Sequence, residues 1–100
     1  MNTDSHTKTI TLDTPIKRGE TEVTEVVVRK PLTIALKGIS LTDLLQMKVD
    51  AIGQVLPRVT TPTLHKQDID NLDPADLLQL GTVVIGFLLP KAQKADFQTE

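Results

Sequence analysis

Residues 72–91, LDPADLLQLGTVVIGFLLPK, form the most apolar stretch of this 100-residue chain, and they decide how the rest of it must fold. Within residues 77–89 only Gln79 and Thr82 have side chains that can hydrogen-bond. A helix that spans a membrane needs about 20 apolar residues, whereas this run is followed at once by proline and lysine. The stretch is therefore too short for a membrane anchor and predicts a helix that is covered by protein.

The ends of this helix are marked in the sequence. Asp73 supplies an N-cap acceptor, and Pro74 suits the first helical position, where its missing N–H group is not needed. Asp76 adds a negative charge in the first turn, where it interacts favourably with the positive end of the helix dipole. Because Pro90 follows the last apolar residue, these signals predict a helix over residues 74–89.

A helical projection leaves this segment almost without a polar face. Gln79, Thr82 and Gly86 have i, i+3, i+7 spacing and form one narrow strip, while the other directions are apolar. A helix that is apolar nearly all round must be covered nearly all round. Either the rest of the domain covers it or a partner does. For a partner, we expect the binding surface to consist of Met47, Val84, Ile85, Leu88 and Leu89.

Composition bounds the class of protein. One hundred residues fit one domain, which we expect at residues 8–90, between a disordered tail at 1–7 and a polar tail at 91–100. The chain has two Phe and neither Trp nor Tyr, so its core must be aliphatic. It has no Cys, which excludes disulfides and thiolate metal sites. The net charge of −2 gives no general attraction to nucleic acid or anionic lipid.

The N-terminal third has the pattern of a β-hairpin over about residues 8–29. Apolar residues alternate in its first half, and its second half is rich in β-branched residues. Gly19 suits the positive φ of the turn between them. Pro15 favours an edge strand or a kink, because it cannot donate a ladder hydrogen bond. The valines of the second strand break their alternation, and a one-residue bulge near Glu25 would restore it.

The segment after the hairpin begins with a short helical turn. Pro31 ends the second strand, and Gly38 stops the turn that follows it. Ser40 is a good N-cap for a main helix over about residues 41–56. Pro57 is expected to close that helix.

A short helix is predicted between the two main helices. Residues 58–62 have the composition of a linker, and Thr63 can cap a helix over about residues 64–71. The chain is therefore predicted to be an α+β domain, in which a hairpin precedes a helical turn and two main helices.

No set of side chains has the spacing of a catalytic or metal-binding motif. His6 and His65 are the only imidazoles and lack further ligands at metal-site spacing. The aspartates of residues 68–76 lack the glycine and glutamate that a calcium-binding EF-hand loop needs at its sixth and twelfth positions. The glycines are isolated, and neither serine lies in a nucleophile motif. We therefore expect no enzymatic activity, no cofactor and no metal, and favour a module that binds another protein.

Two basic pairs, Lys17-Arg18 and Arg29-Lys30, form a further candidate site. If the hairpin brings them together, they would make a small phosphate-contacting patch; the alternative is a solvated edge of the hairpin. No aromatic residues lie between them, and the net charge is negative, so nucleic-acid binding is weakly supported.

Three segments, residues 9–31, 36–64 and 72–90, resemble a family of phage proteins. The resemblance combines the Pro-Ile…Gly hairpin, the Arg-Lys-Pro exit from it, the Leu-Pro-Arg break and the Asp-Pro-Ala-Asp-Leu-Leu helix start. This combination resembles the tail assembly chaperones of temperate contractile-tailed phages and Mu-like prophages. The matching positions are structural ones: Pro15, Gly19, Pro31, Pro57, Asp73 and Pro74.

The resemblance implies a non-enzymatic role in the cytoplasm of a host bacterium. Such chaperones bind the long, largely helical tape measure protein before the tail tube polymerises around it, and they are absent from the finished virion. A longer form, made by a programmed ribosomal frameshift, is common in the family and would provide a link to the tail tube protein. The chain would be the short form.

Two other interpretations of the chain's role remain open from the sequence, and so does self-association. The chain could be a structural component of the tail tube or baseplate, which would persist in the virion. It could be a small DNA-binding regulator, whose binding would depend steeply on salt. Self-association is compatible with either the chaperone or the structural role, because a small aliphatic domain can bury surplus surface by pairing with itself.

Overall fold

The N-terminal hairpin is part of a three-stranded antiparallel sheet, and helices form most of the remainder. The computed structural model describes residues 6–89, so most of the predicted tails, residues 1–5 and 90–100, lie outside the described residues. The prediction of an α+β domain is confirmed. In chain order the elements are β1 (Thr7–Arg18), β2 (Thr21–Arg29), a 3-10 turn (Thr33–Leu36), α1 (Leu41–Leu45), α2 (Val49–Val59), β3 (Thr60–Thr61), α3 (Lys66–Asp70) and α4 (Pro74–Leu88).

The turn of the hairpin matches its prediction. Arg18 lies opposite Thr21, so only Gly19 and Glu20 connect β1 to β2. Gly19 has a φ of 59°, which a residue without a Cβ adopts at little cost and which suits the twist of a two-residue hairpin turn. The residue type at this position therefore sets the register at the closed end of the hairpin.

The hairpin is irregular in β1, whereas the sequence suggested a bulge near Glu25 in β2. Thr11 lies opposite Glu25 and Ile16 lies opposite Val23, so four residues of β1 face a single residue of β2 between these pairs. Pro15 is one of the four, and it has no N–H group to offer a neighbouring strand. The strand order β1-β2-β3 makes β1 an edge strand, as the proline predicts, so the bulge interrupts the ladder on one side only.

A buried carboxylate joins this bulge to the first turn of α4. Asp76 has no exposed surface, and its two oxygens accept from the backbone N–H groups of Asp13 at 2.7 Å and Thr14 at 3.0 Å. Asp73 acts beside it: one oxygen caps α4 through the Ala75 N–H at 2.9 Å, and the other accepts from the Thr14 hydroxyl at 2.9 Å. The helix start therefore binds the backbone that the bulge leaves without ladder partners.

The buried face of α4 packs on the sheet and on α2. Leu80 and Val84 have no exposed surface and belong to one aliphatic core with residues of both long strands. Gly81 allows α4 to approach α2 closely, because a Cβ at this position would lie 2.7 Å from Ile52 Cδ1. Met47 also reaches this point, with its Cε 3.2 Å from the same Cβ position.

The main helix predicted over residues 41–56 is two helices. Ser40 caps α1 as predicted, with its hydroxyl accepting from the Asp43 N–H at 3.2 Å. The chain then turns before α2 begins, and Met47 has a φ of 61°, which is unfavourable for a residue with a Cβ. This turn directs the Met47 side chain to the core near Gly81. Core packing therefore overrides a sequence that carries no glycine or proline at the break.

Pro57 lies inside α2 and does not close it, contrary to the prediction. The helix continues to Val59, which is buried, as is Leu56 one residue before the proline. The Thr60 hydroxyl donates to the Leu56 carbonyl at 2.7 Å and so supplies a bond to the last turn. Burial and this side-chain bond hold the end of the helix despite the donor that proline lacks.

The segment predicted as a linker contains the short strand β3. Thr60 lies opposite Val28 and Thr61 lies opposite Val27, which completes the sheet next to β2. The Arg29 guanidinium donates to the Thr61 hydroxyl and to the Arg58 carbonyl. These side-chain bonds hold the end of β2 against the chain that leaves α2.

The short helix α3 begins later than predicted, and His65 takes the N-cap position in place of Thr63. The Asp68 carboxylate accepts from the His65 backbone N–H at 2.9 Å and from the Arg18 guanidinium at 2.7 Å. Asp68 is buried whereas Arg18 is about one-third exposed. This ion pair attaches α3 to the closed end of the hairpin.

The environment of Asp68 favours its charged form. Burial by itself raises the pKa of the Asp68 carboxyl, but the hydrogen bonds from His65 and Arg18 and the positive charge of Arg18 outweigh that effect. The pKa of Asp68 is therefore held below its ordinary value in the folded protein.

We expect Asp76→Asn to lower the free energy of unfolding by about 2–3 kcal/mol, because one of the two buried carboxylate oxygens would become an NH₂ group that faces a backbone N–H donor. Asp70→Asn is the matched control: Asp70 pairs with Lys66 in an exposed ion pair, whose loss should change stability by less than about 0.5 kcal/mol. Urea unfolding followed by circular dichroism measures both values. Equal effects of the two substitutions would show that the buried carboxylate does not hold the bulge.

The two glycines of α4 should respond to alanine in opposite ways. A Cβ at Gly86 meets no atom within 4 Å, so Gly86→Ala should stabilise the protein by about 0.5–1 kcal/mol through helix propensity. At Gly81 the added methyl group must displace Ile52 and Met47, and we expect a net loss of about 1 kcal/mol because overpacking outweighs propensity. Thermal and urea unfolding of the two variants test this difference; a similar gain at both positions would contradict the packing.

Asp68 should make stability depend on pH in acid. Because its pKa is lower in the folded than in the unfolded state, its stabilising contribution is fully present above the unfolded value of about 3.9 and is lost as pH falls through the lower folded value. The stability difference between the protein and Asp68→Asn should therefore be constant near neutral pH and shrink below about pH 4. In an Arg18→Gln background the difference should be smaller, and an unchanged difference would exclude Arg18 as its cause.

Candidate functional site

The acidic residues that cluster in the sequence are used to hold the fold together. Asp68 pairs with Arg18, Asp70 with Lys66, and Asp76 binds the bulge of β1. Within residues 6–89 no three His, Cys, Asp or Glu side chains come close enough together to hold a metal ion. The helices of these residues include none that is long and apolar enough to cross a membrane.

The two basic pairs do not form a common patch. Lys17-Arg18 lies beside the hairpin turn, whereas Arg29 lies opposite Thr7 at the open end. The eight-residue step from Thr21 to Arg29 along β2 corresponds to roughly 27 Å at strand spacing. The phosphate-contacting patch suggested by the sequence would need both pairs at one end, so the antiparallel register separates its two halves.

The residues predicted as a partner surface divide into two groups. Val84 has no exposed surface and Ile85 is 7% exposed, which corrects the expectation that they lie on a free face. Val84 belongs to the aliphatic core that α4 forms with the sheet and α2. Met47, Leu88 and Leu89 are half-buried, and their binding to a partner stays a prediction.

The aliphatic surface that is exposed lies mostly outside α4. Leu41 and Leu45 are one helical turn apart on α1 and are each about half exposed, with Val49 at the start of α2 exposed to 59%. Leu32 and Ile34, which flank the start of the 3-10 turn, are more exposed still, at 68% and 67%. On α4 itself Leu78 is the large aliphatic residue with an exposed side chain.

A groove lies beside the 3-10 turn and is called here the Leu32 groove. Its volume is about 540 Å³, within the roughly 300–1,000 Å³ range of pockets that bind small molecules or side chains. Its aliphatic lining comes from both ends of the turn and from the end of α2, and its charged lining is basic. The aliphatic residues are Leu32, Ile34, Ala35 and Val59, and the basic ones are Arg29, Lys30 and Arg58.

Two arginines shape this groove through bonds to backbone carbonyls. Arg58 Nη1 donates to the carbonyls of Ala35 at 2.7 Å and Lys37 at 2.9 Å, which satisfies acceptors in and after the 3-10 turn. Arg29 Nη2 donates to the Arg58 carbonyl at 3.2 Å. The groove is therefore a junction of β2, the 3-10 turn and α2, held by side chains that also carry its positive charge.

The Leu32 groove could not be predicted from the sequence, for two reasons. The apolar residues of segment 32–36 have helical spacing, which suggests that they are buried. A single 3-10 turn is too short to bury all of them. Arg58 was assigned to a linker, and its contacts with the 3-10 turn depend on α2 continuing past Pro57. One feature of the sequence does point to the groove. Leu32 and Ile34 follow the basic pair Arg29-Lys30 closely, and the next carboxylate along the chain is Asp43.

Comparison with known proteins places the chain in a family. Residues 9–89 match the family described as phage tail assembly chaperone proteins, E, or 41 or 14. The match begins in β1 and ends at the last residue of the described structure, so it includes most of the sheet, all four described helices and most of the lining of the Leu32 groove.

Two curated relatives support the same assignment. Tail assembly protein E of Escherichia phage P2 is 43% identical over 83 residues, which are 83% of this chain and 91% of the relative. Tail assembly protein E' of the same phage is 41% identical over 88 residues, which are 88% of this chain and 62% of that longer relative. No solved structure matches the chain. By the extent of the family match and these identities, the chain belongs to the phage tail assembly chaperone proteins.

Proposed function

We propose that this chain binds the tape measure protein of its phage and keeps it soluble until the tail tube polymerises around it. The observation that carries the proposal is the exposed aliphatic surface of an otherwise closed core. Among residues 6–89, six large aliphatic side chains are about half or more exposed: Leu32, Ile34, Leu41, Leu45, Val49 and Leu78. Exposed apolar surface of this kind is typical of sites that bind another protein.

The tape measure protein, which is long and largely helical, needs its apolar surface covered until the tail tube forms. Before assembly it exposes the apolar faces of amphipathic helices, and a small domain with exposed aliphatic side chains can cover such faces by helix-in-groove contacts. The half-buried Met47, Leu88 and Leu89 belong to the proposed surface as secondary contacts. Val84 and Ile85 do not, because both side chains are already buried.

The proposal has four further parts. The chain acts without catalysis or a cofactor, in the cytoplasm of the host bacterium, and is absent from the mature virion. A frameshifted longer form adds a segment that contacts the tail tube protein. The similarity to both E and the longer E' of one phage supports such a pair of products.

Co-expression with the tape measure protein from the same phage genome tests the proposal. We expect the tape measure protein to be insoluble alone, to become soluble with this chain, and to co-purify with it. An unrelated soluble domain of the same size, expressed at the same level, is the control for a general effect on expression.

Purified phage particles separate the chaperone from its main alternative. A chaperone is absent from particles analysed by mass spectrometry, whereas a structural component of the tail tube or baseplate is present at a fixed ratio to the tube protein. Insoluble tape measure protein in the presence of this chain, or a fixed copy number in particles, would overturn the proposal.

A further inference from the structure

The Leu32 groove combines exposed aliphatic side chains with basic ones, and among residues 6–89 no carboxylate pairs with them. We infer that this groove receives an acidic, apolar segment of the tape measure protein. Aliphatic side chains of the segment pack against Leu32 and Ile34, and its carboxylates face Arg29, Lys30 and Arg58. The inference rests on the proposed function and adds to it the site and the chemical character of the bound segment.

The apolar part of the argument comes from the exposure of two neighbouring side chains. Leu32 and Ile34 each leave about two-thirds of their surface exposed. Single exposed aliphatic residues are common on protein surfaces, but these two line the same groove and so expose apolar surface together. Val59, buried at 2% exposure, gives the same groove an aliphatic base. Covering this surface would release bound water and so favours an apolar ligand over a purely ionic one.

The charged part of the argument comes from the distribution of carboxylates. Among residues 6–89 the groove lining contains two arginines and a lysine and no acidic residue. Within residues 6–89 the ion pairs lie elsewhere, at Arg18–Asp68, Lys48–Asp43 and Lys66–Asp70. Because the whole chain carries a net charge of −2, this basic lining is a local feature, complementary to Asp or Glu on a partner.

The arginines are already positioned before a partner arrives. The guanidinium of Arg58 is held by two carbonyls at 2.7 and 2.9 Å, and that of Arg29 by a third at 3.2 Å. Side chains that are ordered in the free protein lose less conformational entropy on binding. The groove therefore has the rigidity, apolar lining and charge of a site for a segment with aliphatic anchors flanked by carboxylates.

Overlapping synthetic peptides from the tape measure protein of the same genome test the inference by fluorescence anisotropy. We expect the binding peptides to carry aliphatic residues flanked by Asp or Glu, and their affinity to fall with added salt. Ile34→Asp should weaken binding by about tenfold or more, as for the loss of an apolar anchor. Lys30→Glu should weaken binding and reduce its salt dependence.

Matched variants outside the groove control for general effects. Gln79→Glu places a carboxylate on the exposed polar strip of α4, and Lys17→Glu changes an exposed lysine at the opposite end of the hairpin. Both should bind within about twofold of the unaltered protein, which is less than about 0.5 kcal/mol. Circular dichroism confirms folding of each variant, and Lys30→Glu keeps the test decisive if Ile34→Asp is unfolded.

The outcomes separate this inference from the proposed function. If the unaltered protein fails to bind the tape measure protein, the proposed function fails. If it binds and the two groove variants bind equally well, the function stands and the groove is the wrong site. Binding of basic peptides only, or groove-dependent binding of duplex DNA or anionic vesicles in place of peptides, would overturn the chemical character assigned to the ligand.

Discussion

The buried carboxylate of Asp76 is the contact on which the arrangement of the domain depends. It joins the first turn of α4 to two backbone donors of β1 that are more than 60 residues away in sequence. Those donors belong to the bulge, where β1 cannot continue its ladder with β2. A buried carboxylate without hydrogen-bond donors is costly, so Asp76 is stable in this position only with the bulge beside it. This pairing brings the most apolar helix of the chain onto the sheet.

Once α4 lies there, the close contact at Gly81 determines how much of it is covered. The absence of a side chain lets α4 approach Ile52 of α2 and lets Met47 reach the same point. Met47 adopts an unfavourable φ to do so, and the helix predicted over residues 41–56 is interrupted as a result. The apolar circumference of α4 is thus covered largely by its own domain, while the interruption leaves Leu41 and Leu45 on an exposed face.

The same reasoning explains where the exposed apolar surface lies. Elements of four or five residues, such as the 3-10 turn and α1, have too few positions to turn every aliphatic side chain inward. Helix α4, which contains the most apolar part of the sequence, is covered more completely than these short elements. In a family of tail assembly chaperones this distribution has a functional meaning, because a domain that must bind another chain needs a closed core and a separate apolar surface at once.

The amino-acid sequence by itself determined the elements that local chemistry governs. Gly19 marked the hairpin turn, Pro15 the edge strand, and Ser40 and Asp73 the helix starts, because each acts on neighbouring backbone atoms. The long apolar run indicated a covered helix, and the combined motifs indicated the family. Only the tertiary structure decided the break at Met47, the passage of α2 through Pro57, the strand β3 and the Leu32 groove. Each of these depends on contacts between residues distant in sequence, where core packing and buried hydrogen bonds outweigh local preference.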